Sequence, residues 1–398
     1  MKVAVIFENY GPYHHARVAA AQKRLEVIPV ELRAVSQTYA WAASEHQHDF
    51  EKVTLFAAEE RALFSGETVL QRLSQTLREQ DVSAVCVNGW GDAGAPSGIY
   101  CAIKLGIPLI FMSESTAIDQ ERQSWRETIK KKIVQLGSAA LVGGTRHLAY
   151  MAELGMPTKR IFHGYDAIDN SYFSRRAFDA RQQPTALRAK LALPERYFLA
   201  SARFIEKKNL PRLLTAYARY RQMADRAEAW NLVLLGDGEM RPQLEALATE
   251  LGIQDAVQMP GFKQYQELPA YYGLASAFVH ASTVEQWGLV VNEAMASGLP
   301  VLVSNRCGCA ADLVREGHNG FTFDPYDAEQ LAQLFLRISQ MSAAERQTMG
   351  QHSQHLIAAW GPEAFAAGMQ QAVEAALSHP RPRAGWLDRL LLEMLIRR

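Results

Sequence analysis

Residues 285 to 293 read Glu-Gln-Trp-Gly-Leu-Val-Val-Asn-Glu, two carboxylates with seven residues between them, ahead of the small-residue run Ala-Met-Ala-Ser-Gly-Leu-Pro. Further upstream, Ser201-Ala-Arg-Phe-Ile-Glu-Lys-Lys-Asn209 carries two spaced cations, Arg203 and Lys208. A guanidinium forks onto phosphate oxygens, an ammonium adds a point charge, and a carboxylate accepts hydrogen bonds from sugar hydroxyls. Together these groups suit a ligand with both a diphosphate and a sugar, as a nucleotide-sugar has.

The elements that must position them follow from the surrounding pattern. Ala277, Phe278 and Val279 read as a buried strand, Gly288 as a turn, and Leu289 to Ser297 as a helix stopped by Gly298 and Pro300. Glu285 then lies in a loop at a strand's carboxyl end, and Glu293 about one turn inside the next helix. The N–H groups near Gly288 and Leu289 are offered to phosphate at that helix N-terminus. Arg203 follows the apolar run Tyr197, Phe198, Leu199 and precedes a helix with Asn209 as its cap and Pro211 in its first turn. Both groups fall at strand carboxyl ends, the edge where open α/β sheets bind ligands.

The spacing of Glu285 and Glu293 resembles the E-x7-E motif of glycosyltransferase family 4, retaining enzymes of the GT-B fold. Other segments are similar to family segments in the same order. The stretch from Ser201 to Asn209 resembles "GR...EKN", with Arg203 and Lys208 where the family grips the donor diphosphate. Leu234-Leu-Gly-Asp-Gly-Glu-Met-Arg241 resembles its "GDG" strand and turn, and Val257-Gln-Met-Pro-Gly-Phe262 the strand and turn beside the nucleobase. Val301-Leu-Val-Ser304 and Glu316-Gly-His-Asn-Gly-Phe321 continue the match. Gly164-Tyr-Asp166 with Phe173 resembles the "NGVD...F" crossover, with His163 where Asn is usual.

The resemblance implies two doubly wound Rossmann-like domains facing across a cleft, and retaining transfer of a sugar from a nucleoside-diphosphate sugar to a glycan or lipid-linked saccharide. Glu285 is then expected to hold donor-sugar hydroxyls without being a covalent nucleophile. Glu293 takes the ribose, Phe262 stands beside the base, and Arg203 and Lys208 stabilise the leaving diphosphate. A GT-B nucleotide-sugar epimerase and a non-catalytic nucleotide-sugar-binding partner are the alternatives.

The rest of the chain agrees with a large α/β enzyme. Its 398 residues are 48% hydrophobic, enough for two or three cores. Lys plus Arg and Asp plus Glu number 42 each, so no global field draws nucleic acid. Neither Gly-x-Gly-x-x-Gly after the first strand nor a P-loop occurs, which argues against nicotinamide oxidoreductases and P-loop enzymes. Without an Asp-x-Asp, and with Cys307-Gly-Cys309 too short for an ordinary disulfide and no second ligand pair nearby, neither a metal nor another cofactor is expected. Strand-like and helical runs alternate throughout, predicting parallel sheets. The expected organisation is an acceptor-side domain over 1–165, a hinge and linker over 166–196, a donor domain over 197–360, and helices over 361–398 crossing back to the first domain. The start, Met1-Lys-Val-Ala-Val-Ile-Phe7, reads as a strand rather than a signal peptide, and the cysteine usage fits a reducing cytoplasm.

The first domain offers fewer groups. Gly11, in Glu8-Asn-Tyr-Gly-Pro-Tyr-His-His15, is expected to let backbone approach donor or acceptor. His14 reads either as a sugar-phosphate ligand or base, or as an ordinary helix-start histidine. Glu114 and Ser115, after the strand ending at Met112, are either acceptor or sugar contacts or solvated loop residues. Two basic features are candidates for the inner face of a membrane: Arg126 to Lys132, and the tail 386–398. In the tail, Trp386, Leu387, Leu390, Leu391, Met394 and Leu395 form one stripe, and docking on the protein itself is the alternative.

Overall fold

The computed structural model describes residues 1–34, 50–91, 94–225, 227–379 and 384–397. It divides into two compact units, Met1–Ile168 with Trp360–Arg398, and Asp169–Ala359.

The first unit is built on a parallel sheet of seven strands, β1 (Lys2–Phe7), β2 (Glu26–Arg33), β3 (Val53–Phe56), β4 (Ala84–Asn88), β5 (Leu109–Ser113), β6 (Ala139–Val142) and β7 (Ile161–His163), in the order β3-β2-β1-β4-β5-β6-β7. A strand's side chains alternate between faces, and here both faces are covered, which is why these strands read as continuous apolar runs. Val3, Val5 and Phe7 pack with Phe365, Met369 and Val373 of the helix Pro362–Ser378. Ala4 and Ile6 pack on the other face with Val69, Leu73 and Ile99 of the helices Gly66–Glu79 and Gly94–Leu105.

The second unit holds six parallel strands, β8 (Tyr197–Ser201), β9 (Asn231–Leu235), β10 (Val257–Gly261), β11 (Ala277–His280), β12 (Val301–Ser304) and β13 (Gly320–Phe323), in the order β10-β9-β8-β11-β12-β13. Phe198 anchors one core with Tyr220, Trp230 and Phe335. Both sheets are thus doubly wound and Rossmann-like.

Two expectations from the sequence differ from the structure. The stretch 166–196, read as hinge and linker, is largely helical: Asn170–Gln182 and Pro184–Leu191 are helices that fall within the second unit. The first is capped by Asp169, whose carboxylate accepts the Tyr172 N–H at 2.9 Å, and buries only Tyr172, Phe173, Ala177 and Ala180. Small alanines on the buried stripe and arginines elsewhere hide the helical period. Pro184 occupies the first helical turn, where its missing N–H costs nothing.

The tail stripe is also divided. In the helix Trp386–Ile396, Leu392 and Ile396 are buried, Leu391 and Leu395 lean on the same core, and Trp386, Leu387, Leu390 and Met394 remain 74%, 50%, 46% and 57% exposed. On the helix Ser124–Val134, Lys130 is committed to the protein, bonding Glu127 at 2.8 Å and the Tyr150 hydroxyl at 2.9 Å.

Candidate functional site

The second sheet runs outward in both directions from β8 and β11, so its topological switch point lies between those two strands. The loops after them, 202–209 and 281–288, meet there and are tied together by backbone. The Thr283 N–H donates to Lys207 O at 2.9 Å, Arg306 Nε to Thr283 O at 2.7 Å, and the Gly308 N–H to Glu285 O at 3.0 Å. Asn209 stands at the N-cap position expected for it, but its side chain does not cap. In a left-handed conformation (φ 56°), it donates through Nδ2 to Ala281 O at 3.1 Å and Pro325 O at 2.8 Å. The amide therefore pins the Lys208 loop onto the β11 loop instead of closing a helix end.

Lys208 and Glu285 are brought together as an ion pair between Nζ and Oε2, each side chain only 12% exposed. The same Oε2 lies 3.0 Å from His280 Nε2 and 3.1 Å from the Ser282 hydroxyl. Burial works against the Glu285 charge, but the His280 hydrogen bond and the Lys208 cation outweigh it and hold this carboxyl well below the usual range. His280 is itself buried at 3% exposure, and burial pushes its imidazole below the ordinary histidine value despite the Glu285 bond. At neutral pH the pair is a carboxylate and a neutral imidazole. Because a carboxylate only accepts, the imidazole proton sits on Nε2.

Gly288 turns the chain into the helix Leu289–Ala296 with φ 107°, a region open to glycine, and no side chain caps that helix. Behind it, the Trp287 indole Nε1 donates to Asn292 Oδ1 at 2.8 Å, both residues buried, which fixes the loop against the helix it precedes. Glu293 is one turn inside the helix, as expected, and is fully buried. Tyr272 donates its hydroxyl to Glu293 Oε2 at 2.6 Å, and burial together with that carboxylate raises the phenol's pKa.

Arg203 lies exposed in the β8 loop, two residues past the strand. Its loop is set by β9: the Phe204 N–H donates to Asp237 O at 2.8 Å, and Gly236 (φ 123°) approaches so closely that a Cβ there would lie 1.8 Å from Ala202 O. Phe262, just beyond β10, is 39% exposed.

The first-unit candidates occupy the carboxyl ends of β1 and β5. Gly11 has φ −88° and ψ 178°, angles any residue adopts, so the turn itself does not demand a glycine; its N–H donates to His14 Nδ1 at 3.1 Å. His14 thus closes the start of the helix Pro12–Ala21, and burial with the nearby Arg17 and His15 pushes its pKa down to about 3. The Ser115 N–H donates to Ser113 Oγ at 3.2 Å. Burial and then the nearby Glu114 charge raise the pKa of Asp166, and Arg17 lies 3.9 Å from that carboxylate.

His280, Ser282 and Tyr272 belong to this arrangement and were not singled out in the sequence, and Asn209 was read only as a helix cap and as the end of the segment carrying Lys208. His280 was detectable in principle, as a polar residue closing an apolar strand five residues before Glu285. The roles of Asn209 and Tyr272 follow only from which backbone and carboxylate the fold sets beside them.

The family model for Glycosyl transferases group 1 matches residues 184–355. The lipopolysaccharide core biosynthesis glycosyltransferase LpsE of Rhizobium meliloti is 35% identical over 153 residues, 38% of this chain and 42% of that protein. The chain spans less than half the length of the first curated relatives it matches. Among solved structures, the sucrose-phosphate synthase of Thermosynechococcus elongatus superposes with a TM-score of 0.70 at 20% identity over 93% of this chain and 98% of that one. Anabaena HepE in complex with UDP-glucose gives 0.68 at 18% identity over 95% and 100%. The two doubly wound units are those of the GT-B fold. Residues 184–355, most of the second unit and including the paired carboxylates at its switch point, thus match the Glycosyl transferases group 1 family.

Proposed function

We propose that this protein is a metal-independent retaining glycosyltransferase that moves a hexosyl group from a nucleoside-diphosphate sugar to a saccharide or lipid-linked saccharide. The observation that carries the proposal is the meeting of Lys208 and Glu285 at the switch point of the second sheet, beside the uncapped N-terminus of the Leu289–Ala296 helix. LpsE, whose name places it in lipopolysaccharide core synthesis, supports a glycan acceptor, and HepE, solved with UDP-glucose, makes that nucleotide-sugar the first donor to try.

In this mechanism the bond from the anomeric carbon to the diphosphate breaks and a bond to an acceptor oxygen forms on the same face. A diphosphate oxygen takes the acceptor's proton. Charge grows on the leaving diphosphate, and Arg203, Lys208 and the N–H groups around Gly288 and Leu289 supply the stabilisation that a metal gives elsewhere. Glu285 holds the sugar hydroxyls as the ring flattens. Glu293 accepts from the ribose, and Phe262 flanks the base. Acceptor or sugar contacts are assigned to Glu114 and Ser115, after β5, and to Gly11 and His14, after β1.

The deciding experiment separates the carboxylates. Glu293→Gln should weaken UDP binding by about 1 to 2 kcal/mol, since an amide is the poorer acceptor for two hydroxyls. Glu285→Gln should leave UDP affinity nearly intact and lower the single-turnover rate with UDP-glucose. The reverse pattern in calorimetry and rate would overturn the assignment. Donor binding without turnover on any acceptor would identify a binding module, and release of an epimerised sugar nucleotide an epimerase.

A peripheral lipid contact is part of the proposal. Four large apolar side chains of the Trp386–Ile396 helix face outward together, with Arg389 and Arg397 in the same helical segment. No described helix is long and apolar enough to cross a membrane. Contact on the inner face, by a protein otherwise in the cytoplasm, is the arrangement this surface fits.

A further inference from the structure

Every side-chain hydrogen bond and ion pair that Glu285 makes among the described residues ends on one oxygen. Lys208 Nζ, His280 Nε2 at 3.0 Å and Ser282 Oγ at 3.1 Å all converge on Oε2, whereas Oε1 has no donor among the described residues. A carboxylate has roughly four lone-pair sites, so gathering three donors on one oxygen is a choice of orientation as well as of charge.

Of the three donors, His280 is the one whose place the fold fixes most firmly. It is the last residue of β11, whose Phe278, Val279 and His280 pair with Val301, Leu302 and Val303 of β12, and it is 3% exposed. A lysine on a loop has four rotatable bonds, while a buried imidazole at a strand end has two. The ring also touches the turn that follows: a Cβ built on Gly288 would stand 3.6 Å from His280 Cδ2 and 3.4 Å from Glu285 Cγ. His280 and Glu285 therefore both stand beside the turn that starts the Leu289–Ala296 helix.

We propose that His280 is a positioning residue for the transfer reaction: its Nε2–H locks Glu285 Oε2 so that Oε1 is aimed at the donor-sugar hydroxyls. This rests on the donor-site reading above and adds to it which atom of Glu285 works and what holds it. Ser282, hydrogen-bonding the same oxygen and lying 3.2 Å from His280 Nε2, completes the clamp. Removing His280 leaves Glu285 charged through Lys208 but free to turn about its terminal bond. The loss then falls on the oriented transition state more than on binding of the nucleotide.

Three variants of the full chain test this. His280→Phe keeps the ring and removes the donor, His280→Gln returns an N–H at similar reach, and Ser282→Ala removes the second neutral donor. The readouts are UDP affinity by calorimetry, single-turnover rate with UDP-glucose, and the imidazole nitrogen spectrum of the wild type. His280→Phe should lose about 10- to 50-fold in rate with UDP affinity changed less than about threefold, and His280→Gln should recover most of it. The spectrum should show one histidine as the Nε2–H tautomer, neutral at pH 7, whose signals move in Glu285→Gln. Equal losses of rate and UDP affinity, no recovery in His280→Gln, or an Nδ1–H tautomer would overturn the proposal. If the wild type binds no UDP, the donor reading fails as stated, and the spectrum still decides whether His280 donates to Glu285.

Discussion

Replacing Lys208 with Met keeps most of the aliphatic stem and deletes the charge, which isolates the ion pair with Glu285 from packing. The size of the effect follows from burial. Exposed ion pairs contribute about 0 to 1 kcal/mol, whereas stranding one partner of a buried pair costs about 3 to 5 kcal/mol. Both side chains here are 12% exposed, nearer the buried case, but Glu285 keeps its bonds to His280 and Ser282. A loss of about 2 to 3 kcal/mol at pH 7 is therefore expected.

Its pH dependence is diagnostic. The folded-state pKa of Glu285 is depressed, so the stability it confers is fully present above the unfolded value of about 4.3 and is lost as pH falls below that. The difference between Lys208→Met and the wild type should thus stay nearly constant across about pH 7, 5.5 and 4.5, where Glu285 is ionised in both folded proteins, and shrink only at lower pH as the variant's carboxyl protonates. Urea unfolding of the full chain at these three values, with calorimetry to resolve the transitions of the two units, measures it. A difference below about 0.5 kcal/mol at pH 7 would refute the argument that this pair is effectively buried.

Transfer should survive EDTA, because the phosphate-facing charge is assigned to Arg203, Lys208 and backbone amides; loss restored by magnesium or manganese would show that assignment to be wrong. Gly236→Ala sets a Cβ 1.8 Å from Ala202 O at φ 123°, so it should destabilise by about 3 kcal/mol or more and displace the Arg203 loop; a thermal midpoint equal to wild type would contradict the close approach. Trp287→Phe leaves Asn292 Oδ1 without its buried donor, and about 1 to 3 kcal/mol of stability should go with it in urea melts. Exchanging Trp386, Leu387, Leu390 and Met394 for Ser should abolish flotation with vesicles of anionic lipid while leaving turnover of a soluble acceptor intact; unchanged flotation would exclude the helix as the lipid contact.

The sequence by itself determined what depends on local period and on residue type. The apolar triplets Ala277–Val279 and Tyr197–Leu199 had to be strands buried on both faces, and Gly288 with Gly298 and Pro300 had to bracket a helix. From those two facts the carboxyl-end positions of Arg203, Glu285 and Glu293 follow. The helices between 170 and 191 did not show, since half of the buried stripe of Asn170–Gln182 is alanine and Pro184–Leu191 buries no residue, so neither gives much hydrophobic contrast. What only the tertiary structure decided is which long-range neighbours share an atom. Lys208 and Glu285 are 77 residues apart, and Tyr272 reaches Glu293 from 21 residues away. Asn209, which by local rules should cap a helix, instead bridges Ala281 and Pro325. Local pattern sets which way a side chain leaves its own element. The order β10-β9-β8-β11-β12-β13, fixed by pairing strands far apart in the chain, sets what it meets, and so placed β8 beside β11 with the Lys208 cation against the Glu285 carboxylate.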